Sequence, residues 1–187
     1  MARSVVDGTV EYADPEYLCE ICLPVYGDEI VGTRPEGEDD ATPKVHRVAC
    51  PHAQRATNRA LAEKRRPRVD SVTLRRSVKS WAGPSEDEIP VKLQWAESHE
   101  EDEEPFWFPC EVVVHAQDRK LLLADCSEIV SELSPIIKTG SQTTNEHATL
   151  VFLINVHGLQ DLQKVMDSLR QIRSVMSVER RVRSYFL

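Results

Sequence analysis

The chain has 187 residues, which is enough for one large domain or two small ones. Its 31 acidic residues outnumber 23 basic ones, and the formal net charge of −8 argues against nucleic-acid binding over the whole surface. The sequence shows no secretory signal and no apolar run near the roughly 20 residues of a membrane helix. We therefore expect a soluble intracellular chain without a membrane partner, whose five cysteines bind metal or are buried rather than form disulfides.

The first clear chemical pattern consists of two pairs of possible metal ligands. Residues 1–15 are polar and weakly periodic, and we expect them to be a lead-in from a missing upstream region. Cys19 and Cys22 then form a C-x-x-C pair, and His46 and Cys50 form an H-x-x-x-C pair beyond an acidic, Pro/Gly-rich loop. Each pair can hold one face of a tetrahedral ion, so the spacing predicts a structural Zn²⁺ site. The alternative is a small β-module whose cysteines and histidine pack without metal.

Short elements around these pairs predict a zinc-finger-like module over residues 16–66. The predicted elements are strands over 28–33 and 44–47, a helix over 52–65, and a closing strand over 89–95. Alanines favour the helix, and Pro51 suits its first turn. Between the module and the next domain, residues 67–107 form an expected linker, first Ser/Arg-rich and then acidic from Glu97 to Glu104.

From residue 108 the apolar periodicity becomes regular and predicts a second domain over 108–187. The predicted elements are a strand over 111–117, a helix over 119–133, strands over 136–144 and 148–156, a helix from Leu159 to Ile172, and a strand over 174–182. Asp118 is expected to cap the first helix, and Cys110 and Cys126 to be buried. The order β-α-β-β-α-β is the ferredoxin-like plan, with both helices on one face of an antiparallel sheet. The predicted fold class is therefore α+β.

Two stretches resemble a known family. The first stretch reads C-L-P-V-Y-G-D-E-I-V-G over 22–32 and V-H-R-V-A-C-P-H-A over 45–53. It resembles the zinc-finger-like inter-subdomain module of the RelA/SpoT homologues. These are enzymes of (p)ppGpp synthesis and hydrolysis. The matching residues are Cys22, Pro24, Gly27, Asp28, Ile30 and Gly32, then Val45, His46, Arg47, Cys50 and Pro51. The second stretch resembles the opening of an ACT domain and reads A-Q-D-R-K-L-L-L-A-D-C-S-E-I over 116–129.

The resemblance implies a regulatory role in the stringent response. That family ends in this pair of modules, and the long linker with its acidic insertion is similar to plant and algal chloroplast members. The chain is then a C-terminal fragment or truncated product of a GTP diphosphokinase or (p)ppGpp hydrolase. It would control the missing catalytic domains through intramolecular, dimer or ribosome contacts. The alternative is a free-standing ACT sensor of an amino acid or similar small molecule.

The resemblance also suggests site residues. Bacterial members of the family often carry adjacent cysteines where this chain has Ile21 and Cys22, so Cys19 is inferred to supply the missing thiolate. RNA contact in the family suggests Arg47, Arg55 and Arg59, against the alternative of a solvated helix. A ligand at the ACT loop would meet Asp118, Arg119, Leu121 and Leu122. Lys120 lies near a glycine of amino-acid-binding ACT domains, which counts against such a ligand.

Catalytic residues are not predicted anywhere in this sequence. It contains no His-Asp dyad for a hydrolase, no Gly-rich phosphate loop, and no carboxylate set suited to Mg²⁺ and a nucleotide. Apart from Zn²⁺, no cofactor is expected. An activity of the parent protein would therefore reside outside these residues.

Overall fold

A computed structural model gives the structure of residues 8–10, 15–65, 88–96 and 106–181. The elements in chain order are β1 (Thr9–Val10), a 3₁₀ turn (Pro15–Tyr17), β2 (Ile30–Pro35), β3 (Lys44–Arg47), α1 (Pro51–Arg65), β4 (Glu88–Lys92), β5 (Gln94–Trp95), β6 (Phe108–Gln117), α2 (Leu122–Leu133), β7 (Ile136–Thr144), β8 (His147–Val156), α3 (Leu159–Arg170) and β9 (Val175–Arg180). Most of the predicted lead-in and linker lies outside the described residues. Within the described part, no helix is long and apolar enough to cross a membrane.

The C-terminal half is a four-stranded antiparallel sheet in the order β7-β8-β6-β9. β6 pairs with β8 along its whole length, from Phe108 opposite Val156 to Gln117 opposite His147. Alternate side chains of β8 are buried and share one apolar cluster with the buried stripes of α2 and α3. The helices contact each other, and both contact the sheet. The predicted ferredoxin-like architecture is therefore confirmed.

The first helix of this sheet-and-helix domain begins later than the sequence predicts. α2 starts at Leu122, so the prediction of a helix from residue 119 with Asp118 as its N-cap is wrong. Leu121 occupies the cap position with a left-handed φ of 67°, and it makes no side-chain cap hydrogen bond to any described residue. The Asp118 N–H instead donates to the Glu146 carbonyl at 2.7 Å. This long-range bond ties the chain to the β7–β8 turn before it enters the helix.

The Cys-rich module, which comprises the described residues up to 96, contains a three-stranded antiparallel sheet in the order β3-β2-β4. β3 and α1 lie where the sequence predicts them, but β2 begins at Ile30 rather than at residue 28. Asp28 belongs to a tight turn, in which its N–H donates to the Val25 carbonyl at 3.0 Å. Its carboxylate accepts from the Val25 N–H at 2.8 Å. Gly27 adopts a φ of 92° in the same turn, where glycine is favoured.

The predicted closing strand over 89–95 is divided in two. β4 pairs with β2, whereas β5 pairs in parallel with β1, so the chain changes partner at Leu93. Leu93 is buried beside β2, and a Cβ on Gly32 would lie 2.8 Å from its Cδ1. β1 lies in the expected lead-in, and the sequence does not predict it because two residues cannot show alternation. Its Val10 is nevertheless part of the core.

One apolar core runs through both regions of the molecule. From the Cys-rich module it includes Val10, Leu18, Val25, Ile30, Val45 and Leu93, and from the C-terminal domain it includes the buried faces of β6, β8, α2 and α3. Trp95 bridges the two parts, because its ring lies 5.7 Å from those of Tyr26 and Phe108. The two regions are therefore packed against each other. The cysteines of the module form a second, separate cluster.

Candidate metal centre

The four predicted metal ligands lie together in the structure. Cys19, Cys22, His46 and Cys50 each offer one ligand atom, and these atoms all lie within 4.8 Å of one another. All four side chains are buried. The C-x-x-C turn supplies the first two, β3 supplies the imidazole, and the residue before α1 supplies the last thiol. The arrangement could bind a metal ion, as the spacing predicts.

Backbone hydrogen bonds hold the two ligand pairs beside each other. The Cys19 N–H donates to the Val45 carbonyl at 2.9 Å, which joins the first pair to β3. The Arg47 N–H lies 3.4 Å from the Cys22 sulfur and donates to it. The Cys50 N–H donates to the Arg47 carbonyl at 2.8 Å and turns the chain into α1. Sulfur positions are thus fixed by the backbone on either side of the cluster.

His46 is held between a hydroxyl group and the thiols. Its Nε2 lies 3.0 Å from Thr33 Oγ1 in a buried hydrogen bond. Its Nδ1 is buried and has no hydrogen-bond partner among the described residues. A metal ion would satisfy this nitrogen, whose burial alone is unfavourable. Three thiols and one imidazole are a ligand set for Zn²⁺, whereas Mg²⁺ and Ca²⁺ prefer oxygen ligands. The residues present therefore fit a zinc ion.

The three thiols influence one another's protonation. Hydrogen bonds from the Cys19 and Cys22 thiols lower the pKa of Cys50, and the backbone N–H groups of Ala53 and His52 add to this effect. Hydrogen bonding to Cys19 and then to Cys50 raises the pKa of Cys22. Hydrogen bonding to Cys22 also lowers the pKa of Cys19. The cluster therefore favours a thiolate on Cys50, with the Cys22 thiol as a donor beside it. A buried negative charge of this kind is stabilised by a bound cation.

Two neighbours of the cluster lie outside the ligand set. Ile21, which stands where the family resemblance expects a cysteine, packs with Ala53 in the same apolar cluster. The ring of His52 is nearly parallel to that of His46, with centroids 6.4 Å apart, but His52 is absent from the group of ligand atoms. The inferred use of Cys19 in place of a cysteine at Ile21 is thus compatible with the geometry.

A buried ion pair joins the Cys-rich module to β9. Arg180 Nη1 and Nη2 donate to the two carboxylate oxygens of Asp28 at 2.7 and 2.8 Å, and each side chain is 9% exposed. Nη2 also donates to the Leu23 carbonyl at 2.6 Å, directly after the ligand Cys22. The sequence motif includes Asp28, but the sequence predicts no role for Arg180. The available signal was an arginine within an otherwise alternating final strand.

The segment from Leu23 to Asp28 also contacts the start of α3. The Leu159 N–H donates to the Tyr26 carbonyl at 2.8 Å. A Cβ on Gly158 would lie 3.0 Å from that carbonyl oxygen, so the close approach suits a glycine. Trp95 Nε1 donates to the Asp28 carbonyl at 2.8 Å. The turn that follows the C-x-x-C pair is therefore bonded to two elements of the C-terminal domain and to β5.

The residues suggested for an ACT ligand surround the start of α2. Arg119 forms an ion pair with Asp125 at 2.6 Å and donates to Ser174 Oγ at 3.2 Å. Leu122 is buried, whereas Leu121 is exposed. Leu121, rather than Lys120, has a positive φ, of 67°, which favours glycine. Ligand binding by this loop stays a prediction.

The three arginines suggested as RNA contacts lie in different surroundings. Arg55 and Arg59 are exposed on α1. Arg47 is half-buried, and its Nε is buried without a hydrogen-bond partner among the described residues. Burial raises the pKa of Cys110, and the nearby charges of Arg180 and Arg47 act in the opposite direction. Arg47 thus faces the junction between the two regions, and RNA contact stays a prediction for all three.

Comparison with known proteins identifies the C-terminal domain. Residues 106–180 match the family model of the ACT domain. The crystal structure of the ACT domain from GTP pyrophosphokinase of Chlorobium tepidum is 21% identical, covers 40% of this chain and 99% of that chain, and gives a TM-score of 0.38. The solution NMR structure of that domain is 20% identical, covers 42% of this chain and 90% of that chain, and gives a TM-score of 0.39. A homoserine dehydrogenase from Thiobacillus denitrificans is 16% identical, covers 41% of this chain and 17% of that chain, and gives a TM-score of 0.35. The chain therefore contains an ACT domain, with the ferredoxin-like strand order described above.

Proposed function

We propose that this chain is the regulatory C-terminal part of a (p)ppGpp synthetase/hydrolase of the RelA/SpoT type. The observation that carries the proposal is the junction between the C-x-P-x-x-G-D motif and the ACT domain. Cys22 at the start of this motif belongs to the candidate metal centre, and Asp28 at its end pairs with Arg180 of the last ACT strand. The motif on which the family resemblance rests is thus the segment that fastens the module to the ACT domain.

The proposed metal is Zn²⁺, held by Cys19, Cys22, His46 and Cys50. When bound, it would link the C-x-x-C turn to β3 and to the start of α1 without taking part in chemistry. Support comes from the buried, closely spaced ligand atoms and from the unpartnered Nδ1 of His46 within the described part. The role of the zinc is structural, because four protein ligands leave no open position for a substrate.

The module and the ACT domain would act as one rigid unit on catalytic domains upstream. Their shared core and the buried pair of Asp28 and Arg180 support this, because a displacement of one region would also move the other. β7 forms one edge of the ACT sheet and is exposed from Ile137 to Thr144, which suits pairing with a second copy. Exposed Arg55 and Arg59 on α1 suit contact with RNA phosphates. The proposed chloroplast location is supported by the resemblance alone.

The test compares the parent protein with a version that ends before residue 16. Synthesis and hydrolysis of (p)ppGpp are measured for both, with and without ribosomes. We expect truncation to change the balance of the two activities, because the regulatory unit is lost. Arg180→Met in the full-length protein should shift this balance in the same direction, whereas Arg181→Gln, one residue further along, should not. Equal rates for the complete and truncated proteins under every condition would contradict the proposal.

A further inference from the structure

The imidazole of His46 has two nitrogens in different surroundings. Nε2 lies 3.0 Å from Thr33 Oγ1, and both side chains are 2% exposed. Nδ1 is equally buried, yet it has no hydrogen-bond partner in the part of the chain that the structure describes. The two nitrogens therefore cannot be equivalent towards a metal, and the surroundings distinguish them.

The strand register accounts for the contact between Thr33 and His46. β2 and β3 are antiparallel, with Val31 opposite His46 and Thr33 opposite Lys44. Thr33 and Val31 lie on the same face of β2, because side chains alternate along a strand. Thr33 is thus the diagonal neighbour of His46 across the sheet, at a separation that allows side-chain contact. The sheet itself holds the hydroxyl beside the ring.

The two possible tautomers of His46 have different consequences. If Nε2 carries the proton, it donates to Thr33 Oγ1, and Nδ1 presents a lone pair. If Nδ1 carries the proton, it has no lone pair for an ion, and Nε2 must accept from the Thr33 hydroxyl instead. The first tautomer satisfies both nitrogens once an ion is bound. It is also the arrangement by which a histidine ligand is commonly fixed, with its second nitrogen bonded to a neighbouring group.

We infer that Thr33 is the positioning residue of the metal centre and that His46 binds the metal through Nδ1. The inference rests on the proposed metal site. The Thr33 hydroxyl oxygen accepts a hydrogen bond from the Nε2–H group and so fixes the orientation of the ring. The Nδ1 lone pair then remains free for the ion. Thr33 does not touch the metal. Its contribution is to the affinity of the site, through the orientation and tautomer of one ligand.

The direct test uses the unmodified chain, with ¹⁵N-labelled histidine and ¹¹³Cd²⁺ in place of zinc. A long-range ¹H–¹⁵N spectrum distinguishes the two ring nitrogens of His46, and ¹⁵N–¹¹³Cd coupling identifies the one bound to metal. We expect the coupling at Nδ1 and a proton on Nε2. Coupling at Nε2 would overturn the inference while leaving the metal site itself intact. A chain that binds neither cadmium nor zinc would overturn the proposed site and the inference together.

A variant series tests the role of the hydroxyl. Thr33→Val keeps the shape and removes the acceptor, and we expect a loss of about 10- to 100-fold in zinc affinity, measured by competition with a chromophoric chelator. Thr33→Ser restores the hydroxyl and should bind within a few fold of the original chain. Thr57→Val is the matched control, because the Thr57 hydroxyl donates only to the Ala53 carbonyl within α1. Equal affinity of the Thr33→Val and Thr57→Val chains would contradict the positioning role.

Discussion

The ACT domain and the Cys-rich module bury different kinds of side chain. In the ACT domain, β6 and β8 carry long apolar faces that pack against α2 and α3. In the module, a small separate cluster holds Cys19, Cys22 and Cys50 beside the imidazole of His46. Apolar burial and a long hydrogen-bonded ladder stabilise the first region, whereas the second combines a smaller share of the common core with buried groups that a metal would satisfy. The two regions should therefore respond differently to the same perturbation.

Metal removal should produce the largest difference between the regions. Under reducing conditions, a chelator is expected to abolish hydrogen-exchange protection in β2 and β3 while β6 and β8 remain protected. Metal binding contributes on the order of 10 kcal/mol or more to the folding free energy of small zinc domains. The apolar contacts within the cysteine cluster cannot replace a contribution of this size. Cys22→Ser should have the same effect without a chelator. Equal loss of protection in both regions, or in neither, would contradict a difference in what stabilises them.

Breaking the ion pair between the regions should have the next largest effect. Arg180→Met leaves the buried carboxylate of Asp28 without its cation, and removal of one partner from a buried pair costs about 3–5 kcal/mol. Urea unfolding of the metal-loaded chain measures this change. Arg181→Gln is the control, because Arg181 lies 3.9 Å from Glu111 and is partly exposed. Loss of that pair should cost less than about 1 kcal/mol. Similar values for the two variants would show that the junction does not depend on Arg180.

A smaller effect of opposite sign is expected at the start of α2. Leu121 has a φ of 67° and is 64% exposed, so it holds an unfavourable backbone conformation while burying little surface. Leu121→Gly should stabilise the ACT domain by about 1 kcal/mol, because glycine avoids the left-handed penalty. Ala124→Gly on the exposed side of the same helix should destabilise it by about 1 kcal/mol. Thermal unfolding checks both, and destabilisation by Leu121→Gly would refute the strain argument.

The last effect is absent at neutral pH and appears only at alkaline pH. Burial in α2 raises the pKa of Cys126 to about 11, above the value of an exposed thiol. The folded state then holds the proton more strongly than the unfolded state, so the stabilisation is complete below about pH 8.5 and decreases as the pH rises towards 11. Cys126→Ala should reduce the decline of stability between pH 8.5 and 11. An unchanged pH dependence in urea unfolding would contradict the prediction.

The comparison also explains what could be predicted from the sequence. The ACT elements follow from periodicity, because long strands and helices repeat the same burial pattern over many residues. The metal ligands follow from the spacing of Cys19, Cys22, His46 and Cys50. The helix start at Leu122 was missed, because the bond between Asp118 and Glu146 is long-range and leaves no local signal.

Contacts between distant segments account for the remaining differences. β1 is too short to show alternation, and its partner β5 lies far along the chain. Asp28 and Arg180 pair across a sequence separation of 152 residues, and nothing in the sequence indicates that they are partners. Thr33 is one of many threonines and gains its role only from the register of β2 and β3. Such roles depend on tertiary structure, which periodicity and spacing do not contain.

The metal content of the purified chain tests whether the four clustered ligands form a zinc centre. The chain is purified under reducing conditions without added chelator, and zinc is measured by inductively coupled plasma mass spectrometry beside Cys19→Ser and His52→Gln variants. We predict about one zinc ion per chain for the original and for His52→Gln, and clearly less for Cys19→Ser, because four protein ligands make a closed zinc site. A metal-free original chain, or full zinc content in Cys19→Ser, would contradict a centre formed by Cys19, Cys22, His46 and Cys50.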